Sequence, residues 1–406
     1  MRELPMTELA PKASPAHSIA RVLVIDDSAV ARGLMTRWVE EDSDLTLIGS
    51  AVDGEQGLRK AEELKPDLIV LDVEMPKMDG LAALPLLLKA VPGCKIVMAS
   101  TLTRRGGEVT IRALSMGAAD YASKPQAGRL AGAEEFRRDL LLKLKALAPR
   151  PIPPVPTQRD MAPSPAPATP AAPGAPVARS ITPPPPPSSS APAKKAFAPV
   201  AQPPQGRGTP RNTARPEIIA IGSSTGGPQA LRDVIAAFPA DVRSPIVIAQ
   251  HMPALFTKIL AEHLTKAGKL VCKEAEDNER LKPGCVYIAP GDFHMTIRKD
   301  AAGFYAVLDQ TPPINFCRPA VDPLFQSVAE VTRGAALGIV LTGMGHDGRE
   351  GARMLRSVGG TILAQDEATS VVWGMPGAVA EAGLADEILS LADMGPGIVR
   401  RAKGGN

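Results

Sequence analysis

Glu217-Ile-Ile-Ala-Ile-Gly-Ser-Ser-Thr-Gly-Gly-Pro228 decides how the C-terminal half of this chain folds. The first six residues form a short apolar run that reads as a buried strand. The next six are small residues that turn into a helix. A strand-to-helix turn of this kind exposes backbone N–H groups at a helix N-terminus. It suits an anion cradle, or a turn that lifts a serine hydroxyl above the sheet edge beside amides able to hold an oxyanion. No Gly-Lys-Ser/Thr ending follows, which excludes a P-loop, and the G-x-G-x-x-G spacing is not met. The turn alone leaves both readings open.

Downstream the same alternation continues. Strands are expected at Pro245 to Gln250, Leu270 to Ala275, Cys285 to Ala289, Leu337 to Leu341 and Thr361 to Ala364, with an antiparallel pair at His294 to Arg298 and Tyr305 to Leu308. Helices are expected at Pro228 to Phe238, Leu255 to Ala267, Pro323 to Thr332, Gly348 to Val358 and Pro376 to Ala382. Alternating β and α implies a mainly parallel sheet with helices on its faces.

A serine nucleophile needs a base, usually histidine, and the chain has five. His17 lies in the N-terminal tail, His263 in a polar helix, and His294 at the start of the hairpin. His251 follows the strand expected beside the first one, so spacing favours it, with His346 second. Asp347 follows the strand Leu337 to Leu341 and can reach the same crevice. The bland alternatives are a core-satisfied imidazole for His251 and a helix N-cap for Asp347. Spacing alone does not separate them from catalytic roles.

Upstream, residues 149 to 210 hold 21 of the chain's 42 prolines, including the run Pro183 to Pro187, in a background of Ala and Ser. Such a segment cannot bury a core and favours extended polyproline II geometry. It reads as a disordered, semi-stiff tether, with a proline-recognition ligand as the rival. Residues 149 to 215 carry eight Lys or Arg and one acid, a local +7 within a net charge of +3, so the rest of the chain is at −4. The basic balance therefore belongs to the tether and gives no nucleic-acid face to the folded parts. Cys94, Cys272, Cys285 and Cys317 are widely spaced, with no C-x-x-C pair, which argues against zinc and a disulfide framework. Met1 to Ser18 has no apolar signal region, and no stretch is long and apolar enough to span a membrane. A cytoplasmic protein without direct membrane insertion is expected.

The N-terminal half repeats the β/α alternation. Arg21-Val-Leu-Val-Ile-Asp26, Leu45 to Val52, Asp67-Leu-Ile-Val-Leu-Asp72, Lys95-Ile-Val-Met-Ala-Ser100 and Asp120-Tyr-Ala122 read as strands, with helices such as Gly54 to Leu64 and Leu81 to Ala90 between them. Asp26 and Asp27, Asp72, Ser100 and Lys124-Pro125 then fall at successive strand ends, which converge on one crevice in an open parallel sheet. Three carboxylates cannot stay ionised together without a counter-charge. A hard divalent cation such as Mg²⁺ supplies it. Asp72 is then placed to attack a phosphoryl group and form an acyl phosphate. Lys124 offsets the charge on that group and Ser100 hydrogen-bonds its oxygens.

These residues, with Glu74-Met-Pro-Lys-Met-Asp-Gly80 after the third strand, resemble a two-component receiver domain, which implies a flavodoxin-like five-stranded parallel sheet. The resemblance implies Asp72 as phosphoacceptor, with Asp26, Asp27 and the Glu74 backbone carbonyl as metal ligands. It implies Ser100 and Tyr121 as a switch pair and Lys124 as the phosphate contact. The second half resembles the catalytic domain of the CheB family of chemotaxis protein-glutamate methylesterases, in Gly222-Ser-Ser-Thr-Gly-Gly-Pro228, Gln250-His-Met-Pro253, Tyr287-Ile-Ala-Pro-Gly-Asp292, Arg318-Pro-Ala-Val-Asp322, Thr342-Gly-Met-Gly-His-Asp-Gly348 and Trp373-Gly-Met-Pro-Gly-Ala-Val379. That implies a Rossmann-like, mainly parallel α/β esterase domain with Ser224 as nucleophile, His251 as base, Asp347 as orienter and the Met344 amide as oxyanion donor. Position 346 is a variable slot of the motif, which leaves His346 outside the chemistry. Ser223 departs from the small apolar residue usual before the nucleophile, and the tether is longer than a short hinge.

The resulting expectation is a tail at 1–18, a receiver at 19–147, a tether at 148–214 and an esterase domain at 215–400. The resemblance implies a phosphorylation-activated hydrolase of glutamate methyl esters on methyl-accepting chemotaxis receptors, also able to deamidate glutamine. Its phosphodonor would be the histidine kinase of the pathway. Mg²⁺ would serve the receiver and no cofactor the esterase site. A DNA-binding response regulator is disfavoured, because no helix-turn-helix pattern is present and the folded parts are acidic. The other rivals are a methylesterase of a non-flagellar chemosensory pathway and a non-catalytic α/β binding module. An esterase assay separates the latter.

Overall fold

The apolar runs become strands because helices packed on both faces remove them from water, the usual fate of parallel sheets. The computed structural model of the chain describes residues 19–101, 103–124, 132–149 and 215–403. The N-terminal tail with His17, Pro125 and nearly all of the expected tether lie outside them. In the first half, β1 (Ala20–Ile25), β2 (Leu45–Ala51), β3 (Leu68–Asp72), β4 (Lys95–Thr101) and β5 (Asp120–Lys124) form one sheet in the order β2-β1-β3-β4-β5. All its pairings are parallel. This is the expected flavodoxin-like order. The connecting helices are α1 (Ala29–Glu40), α2 (Gly54–Leu64), α3 (Gly80–Ala90), α4 (Arg104–Ser115) and α5 (Ala133–Leu147). The first four have side-chain N-caps, supplied by Ser28, Asp53, Asp79 and Thr103, each satisfying an otherwise orphaned backbone donor.

The second half contains β6 (Ile218–Ser223), α6 (Gly227–Ala237), β7 (Ile246–Gln250), α7 (Phe256–Ala267), β8 (Val271–Glu274) and β9 (Cys285–Ile288). It continues with β10 (His294–Asp300), β11 (Gly303–Asp309), α8 (Val321–Thr332), β12 (Ala336–Val340), α9 (Arg349–Ser357), β13 (Thr361–Gln365), α10 (Met375–Glu381), β14 (Glu387–Leu389) and α11 (Leu391–Ala402). Seven strands form a sheet in the order β14-β13-β12-β6-β7-β9-β8, and β10 and β11 form a separate antiparallel hairpin. The seven-stranded sheet is wholly parallel. Alternate residues of β6 go to opposite layers, as the two-residue strand period requires. Ile219 and Ile221 join a core with Leu231 of α6 and Leu260 of α7, while Ile218 and Ala220 join another with Phe325 of α8 and Leu355 of α9. Each such buried aliphatic side chain contributes about 1.5–3 kcal/mol.

Two elements, β14 and α11, were not anticipated. β14 is three residues long, and α11 carries Gly395-Pro396-Gly397, a sequence that reads as a helix breaker. The helix forms because Ser390 caps its start and because Gly395 lets it approach α6, where an added Cβ would overlap that of Ala237.

The N-terminal half packs on the C-terminal half through α4, β5 and α5. Gly107 of α4 faces Ile259 and Phe256 of α7. The Tyr121 ring stacks on Phe256, with centroids 5.1 Å apart and planes at 11°. Gln229 and Arg232 of α6 donate to the Leu114 and Ser115 carbonyls at the end of α4.

Candidate active site and phosphoacceptor cluster

β6 is flanked by β12 on one side and β7 on the other. Three successive strand ends of a parallel sheet therefore open on one crevice, where ligands of such sheets bind. Ser224 leaves β6, His251 leaves β7, and the loop after β12 carries Met344 and Asp347. His251 Nε2 lies 2.7 Å from Asp347 Oδ2. Ser224, His251 and Met344 line one cleft of about 790 Å³. The Ser224 hydroxyl and the Met344 amide make no hydrogen bond among the described residues, and both residues line the cleft.

Asp347 is held by backbone. Its Oδ2 also accepts from the Val321 amide at 2.6 Å, and its Oδ1 from the Asp322 amide at 3.0 Å and the Gly348 amide at 2.9 Å. Val321 and Asp322 open α8, so the carboxylate sits at the positive end of that helix. Asp347 does not cap its own helix, since α9 has no side-chain cap; its carboxylate instead takes the first amides of α8. Burial raises the Asp347 pKa, but the bond to His251 and these amides outweigh it and hold the pKa below the usual carboxylate value. Asp322 goes the other way, pushed up to about 6 by burial and by Asp347 beside it.

His251 is nearly buried. Burial pushes its imidazole down, while Cys317 and Asp347 pull it up through charge and hydrogen bonding, and the upward pull wins, to about 10. The remaining described histidines are elsewhere. His294 is buried and satisfied, its Nδ1 accepting from the Ala320 amide at 3.2 Å and its Nε2 3.2 Å from the Pro312 carbonyl. His346 is exposed and His263 half-buried on α7.

Two neighbours of the dyad were not singled out from sequence. Gln250 accepts from the buried Ser223 hydroxyl at 2.6 Å and donates to the Ser224 carbonyl at 2.9 Å and the His251 carbonyl at 3.2 Å. It ties the end of β6 to the end of β7, and it explains the polar residue at position 223. Its sequence signal was its place beside His251 in Gln250-His-Met-Pro253, which gave it no role of its own. Cys317 gave no signal: it lies 66 positions from His251, and only the fold brings the two together.

At the receiver crevice, carboxylate oxygens of Asp26, Asp27 and Asp72 all lie within 4.8 Å of one another. Lys124 Nζ is 2.7 Å from Asp26 Oδ2 and 2.7 Å from Asp72 Oδ1. One ammonium does not balance three carboxylates, and burial pushes Asp72 up to about 6 despite Lys124. The hard oxygen donors and the uncompensated charge fit a divalent cation. The Glu74 side chain is exposed and its amide hydrogen-bonds the Asp72 carboxylate. Ser100 is buried one residue before the end of β4, and its hydroxyl donates to the Gly106 carbonyl at 3.3 Å and the Thr101 carbonyl at 3.4 Å. Tyr121 is turned into the contact with Phe256. Gly80 closes the loop after β3 where an added Cβ would overlap the Asp72 carbonyl.

The cleft containing Ser224 and His251 is lined from the receiver side as well, by Asp120, Tyr121, Lys124, Arg138 and Leu142 among others. The N-terminal half therefore stands over the mouth of the crevice that holds Ser224.

Residues 219–398 match the family model described as CheB methylesterase, and residues 22–133 match that of the response regulator receiver domain. A Caulobacter vibrioides protein named protein-glutamate methylesterase/protein-glutamine glutaminase 2 is 48% identical, covering 94% of this chain and 99% of its own length. This chain belongs to the CheB methylesterase family. A Rhodopseudomonas palustris relative, named protein-glutamate methylesterase/protein-glutamine glutaminase, is 45% identical, covering 95% of this chain and 94% of its own. The crystal structure of the Thermotoga maritima CheB methylesterase catalytic domain is 43% identical, with a TM-score of 0.45, covering 46% of this chain and 99% of that one.

Two motif glycines of this CheB-family chain have a steric reason. A Cβ on Gly227 would overlap the Gln250 carboxamide oxygen, and one on Gly343 would overlap the Met375 sulfur and stand 2.9 Å from the Ser224 Cβ. Both let backbone close tightly around the serine. Among the described residues no helix is long and apolar enough to cross a membrane.

Proposed function

We propose that the chain is a phosphorylation-controlled hydrolase of glutamate methyl esters on methyl-accepting chemotaxis receptors, and that it also deamidates glutamine. The reading rests on one observation above others: His251, on the wall of the cleft that Ser224 enters, lies 2.7 Å from the buried carboxylate of Asp347. With Nε2 committed to Asp347, Nδ1 of the imidazole takes the Ser224 proton, the Cys317 contact giving way as it does so. The hydroxyl oxygen attacks the ester carbonyl, and the oxyanion is met by the Met344 amide. The protonated imidazole then gives its proton to the leaving methoxide, and methanol departs. Water, deprotonated by His251, cleaves the acyl-serine to free glutamate and regenerates the hydroxyl. A glutamine side chain follows the same course, with ammonia as the leaving group.

In the receiver, Asp72 accepts a phosphoryl group from the histidine kinase of the same pathway. Asp26, Asp27, Asp72 and the Glu74 carbonyl would hold Mg²⁺, which would offset the charge on the transferred group. Lys124 contacts the phosphate, and Ser100 and Tyr121 report it. In the arrangement described here Tyr121 packs on Phe256 and the receiver stands over the cleft, which supports reading it as the resting state. Phosphorylation shifts the population toward an open state. The working boundaries are a receiver at 19–147, a tether at 148–214 and an esterase domain at 215–400, in the cytoplasm.

Methanol release from methylated receptors, with and without a small-molecule phosphodonor, tests this reading. No release under either condition rejects it, and equal release under both rejects the phosphorylation control.

A further inference from the structure

Asn315 and Phe316 both have left-handed backbones, with φ of 50° and 64°. They form the two-residue tip of a turn whose bases, Ile314 and Cys317, exchange both backbone hydrogen bonds, at 3.0 and 2.9 Å. A turn with positive φ at both central positions favours Asn followed by Gly. Asn315 fits that preference, whereas Phe316 stands where glycine is the default, and a bulky residue at positive φ is a genuine outlier. Strain of this kind collects at functional sites.

The strained residue points its side chain outward. Phe316 is 81% exposed, the highest value of any large hydrophobic residue described. It lines the same cleft as Ser224 and His251, and the next residue, Cys317, touches the His251 imidazole. The turn is anchored just beyond, where Arg318 is paired with Asp292 and donates to the Gln310 and Thr311 carbonyls. On the esterase side of this cleft Phe316 is the one exposed large hydrophobic residue among those described. In the docked arrangement Arg138 of the receiver lies over its ring, 4.7 Å from the centroid, a cation–π contact.

We propose that Phe316 is a substrate-anchoring residue: its ring takes an apolar side chain of the polypeptide segment that carries the esterified glutamate. This rests on the esterase reading above. A methyl ester offers little surface to grip, so a protein substrate must be held by contacts beside it, and aromatic rings in clefts are the usual anchors. The receiver covers the same ring with Arg138, so its docking and substrate binding compete for one surface.

The test uses the full chain with a small-molecule phosphodonor and methylated receptor as substrate. Phe316→Gly suits the turn better than phenylalanine, so a loss is not a collapsed turn. The expected result is a KM raised about tenfold or more, kcat within about twofold and an undiminished melting midpoint, with Phe316→Tyr close to the parent. An unchanged KM in Phe316→Gly overturns the inference. So does a fall in kcat with a lowered midpoint at unchanged KM, which would make the residue structural. Failure of the parent chain itself to release methanol sinks the esterase reading and this inference with it, so the two failures are told apart by the parent.

Discussion

The Thr225 hydroxyl donates a 2.5 Å hydrogen bond to the buried Asp120 carboxylate, across the boundary between the two halves of the chain. Thr225 follows Ser224 directly, and Asp120 opens the strand that carries Tyr121 and Lys124, so this bond joins the serine turn to β5 of the receiver. Lys143 is 3.9 Å from the same carboxylate and donates to the Tyr121 carbonyl at 2.6 Å. A hydrogen bond to a charged group contributes about 1.5–3 kcal/mol. Thr225→Val keeps the shape and removes the bond, and should raise methanol release without phosphodonor roughly tenfold. The phosphorylated rate should stay within about twofold. A basal rate equal to the parent's would show that this bond does not hold the docked state.

Ser224→Ala should lower methanol release by more than about 10³-fold, the scale seen when a serine-hydrolase nucleophile is removed. The melting midpoint should not move, because the hydroxyl makes no hydrogen bond among the described residues. Asp347→Asn should lower the rate by about 10⁴-fold, since the amide favours the wrong imidazole tautomer. Methanol assays and thermal melts of both variants check these outcomes together.

The His251 value of about 10 gives a signed pH dependence. A base must be unprotonated, so release without phosphodonor should keep rising with pH well beyond the ordinary imidazole range near 6.5. Cys317→Ser removes one of the upward pulls and should move the inflection to lower pH. For stability, the folded pKa is raised above the unfolded one, so the proton on His251 stabilises the fold fully below about pH 6.5. That stabilisation is lost as pH rises through about 10. Denaturant melts at pH 7 and pH 10 should differ less in His251→Gln than in the parent.

Gln250 bonds to the Ser223 hydroxyl and to the carbonyls of Ser224 and His251. Gln250→Ala should destabilise the chain by about 1–3 kcal/mol, because the buried Ser223 hydroxyl loses its acceptor. It should also lower kcat about tenfold or more with little change in KM, since misplacing the serine relative to the imidazole affects the step and not the grip. A KM effect alone would contradict the positioning role.

Chelation of divalent cations should abolish phosphodonor stimulation and leave the unstimulated rate unchanged. The carboxylates of Asp26, Asp27 and Asp72 cluster together and do not line the cleft of Ser224. Asp27→Asn should weaken stimulation in the same way, read out as phosphoryl incorporation. Loss of the unstimulated rate under chelation would mean that the esterase crevice also depends on a cation.

Much of this molecule was legible in the chain. Val22 to Ile25, Leu68 to Leu71 and Ile246 to Ala249 are continuous apolar runs that can satisfy neither face in water, so they must become buried parallel strands. Fully polar positions at their ends, such as Asp72 and His251, could then be assigned to strand C-termini without coordinates. The starts of α2 and α3 are fixed by the side-chain caps Asp53 and Asp79, whose chemistry is local. α11 was illegible because Gly395-Pro396-Gly397 opposes a helix locally, and contact with Ala237 overrides that preference. Glu387–Leu389 is too short to carry a period.

What the sequence by itself determined is the order of strands and helices, the polar residues at strand ends, and the family to which those motifs belong, because burial of apolar runs and backbone capping are local requirements. Only the tertiary structure decided which distant groups meet: Asp347 on the amides of Val321 and Asp322, Cys317 on His251, Asp120 on Thr225, and Arg138 over Phe316. Those pairings depend on strand order and on how one sheet packs against the other, and chain spacing carries no trace of either.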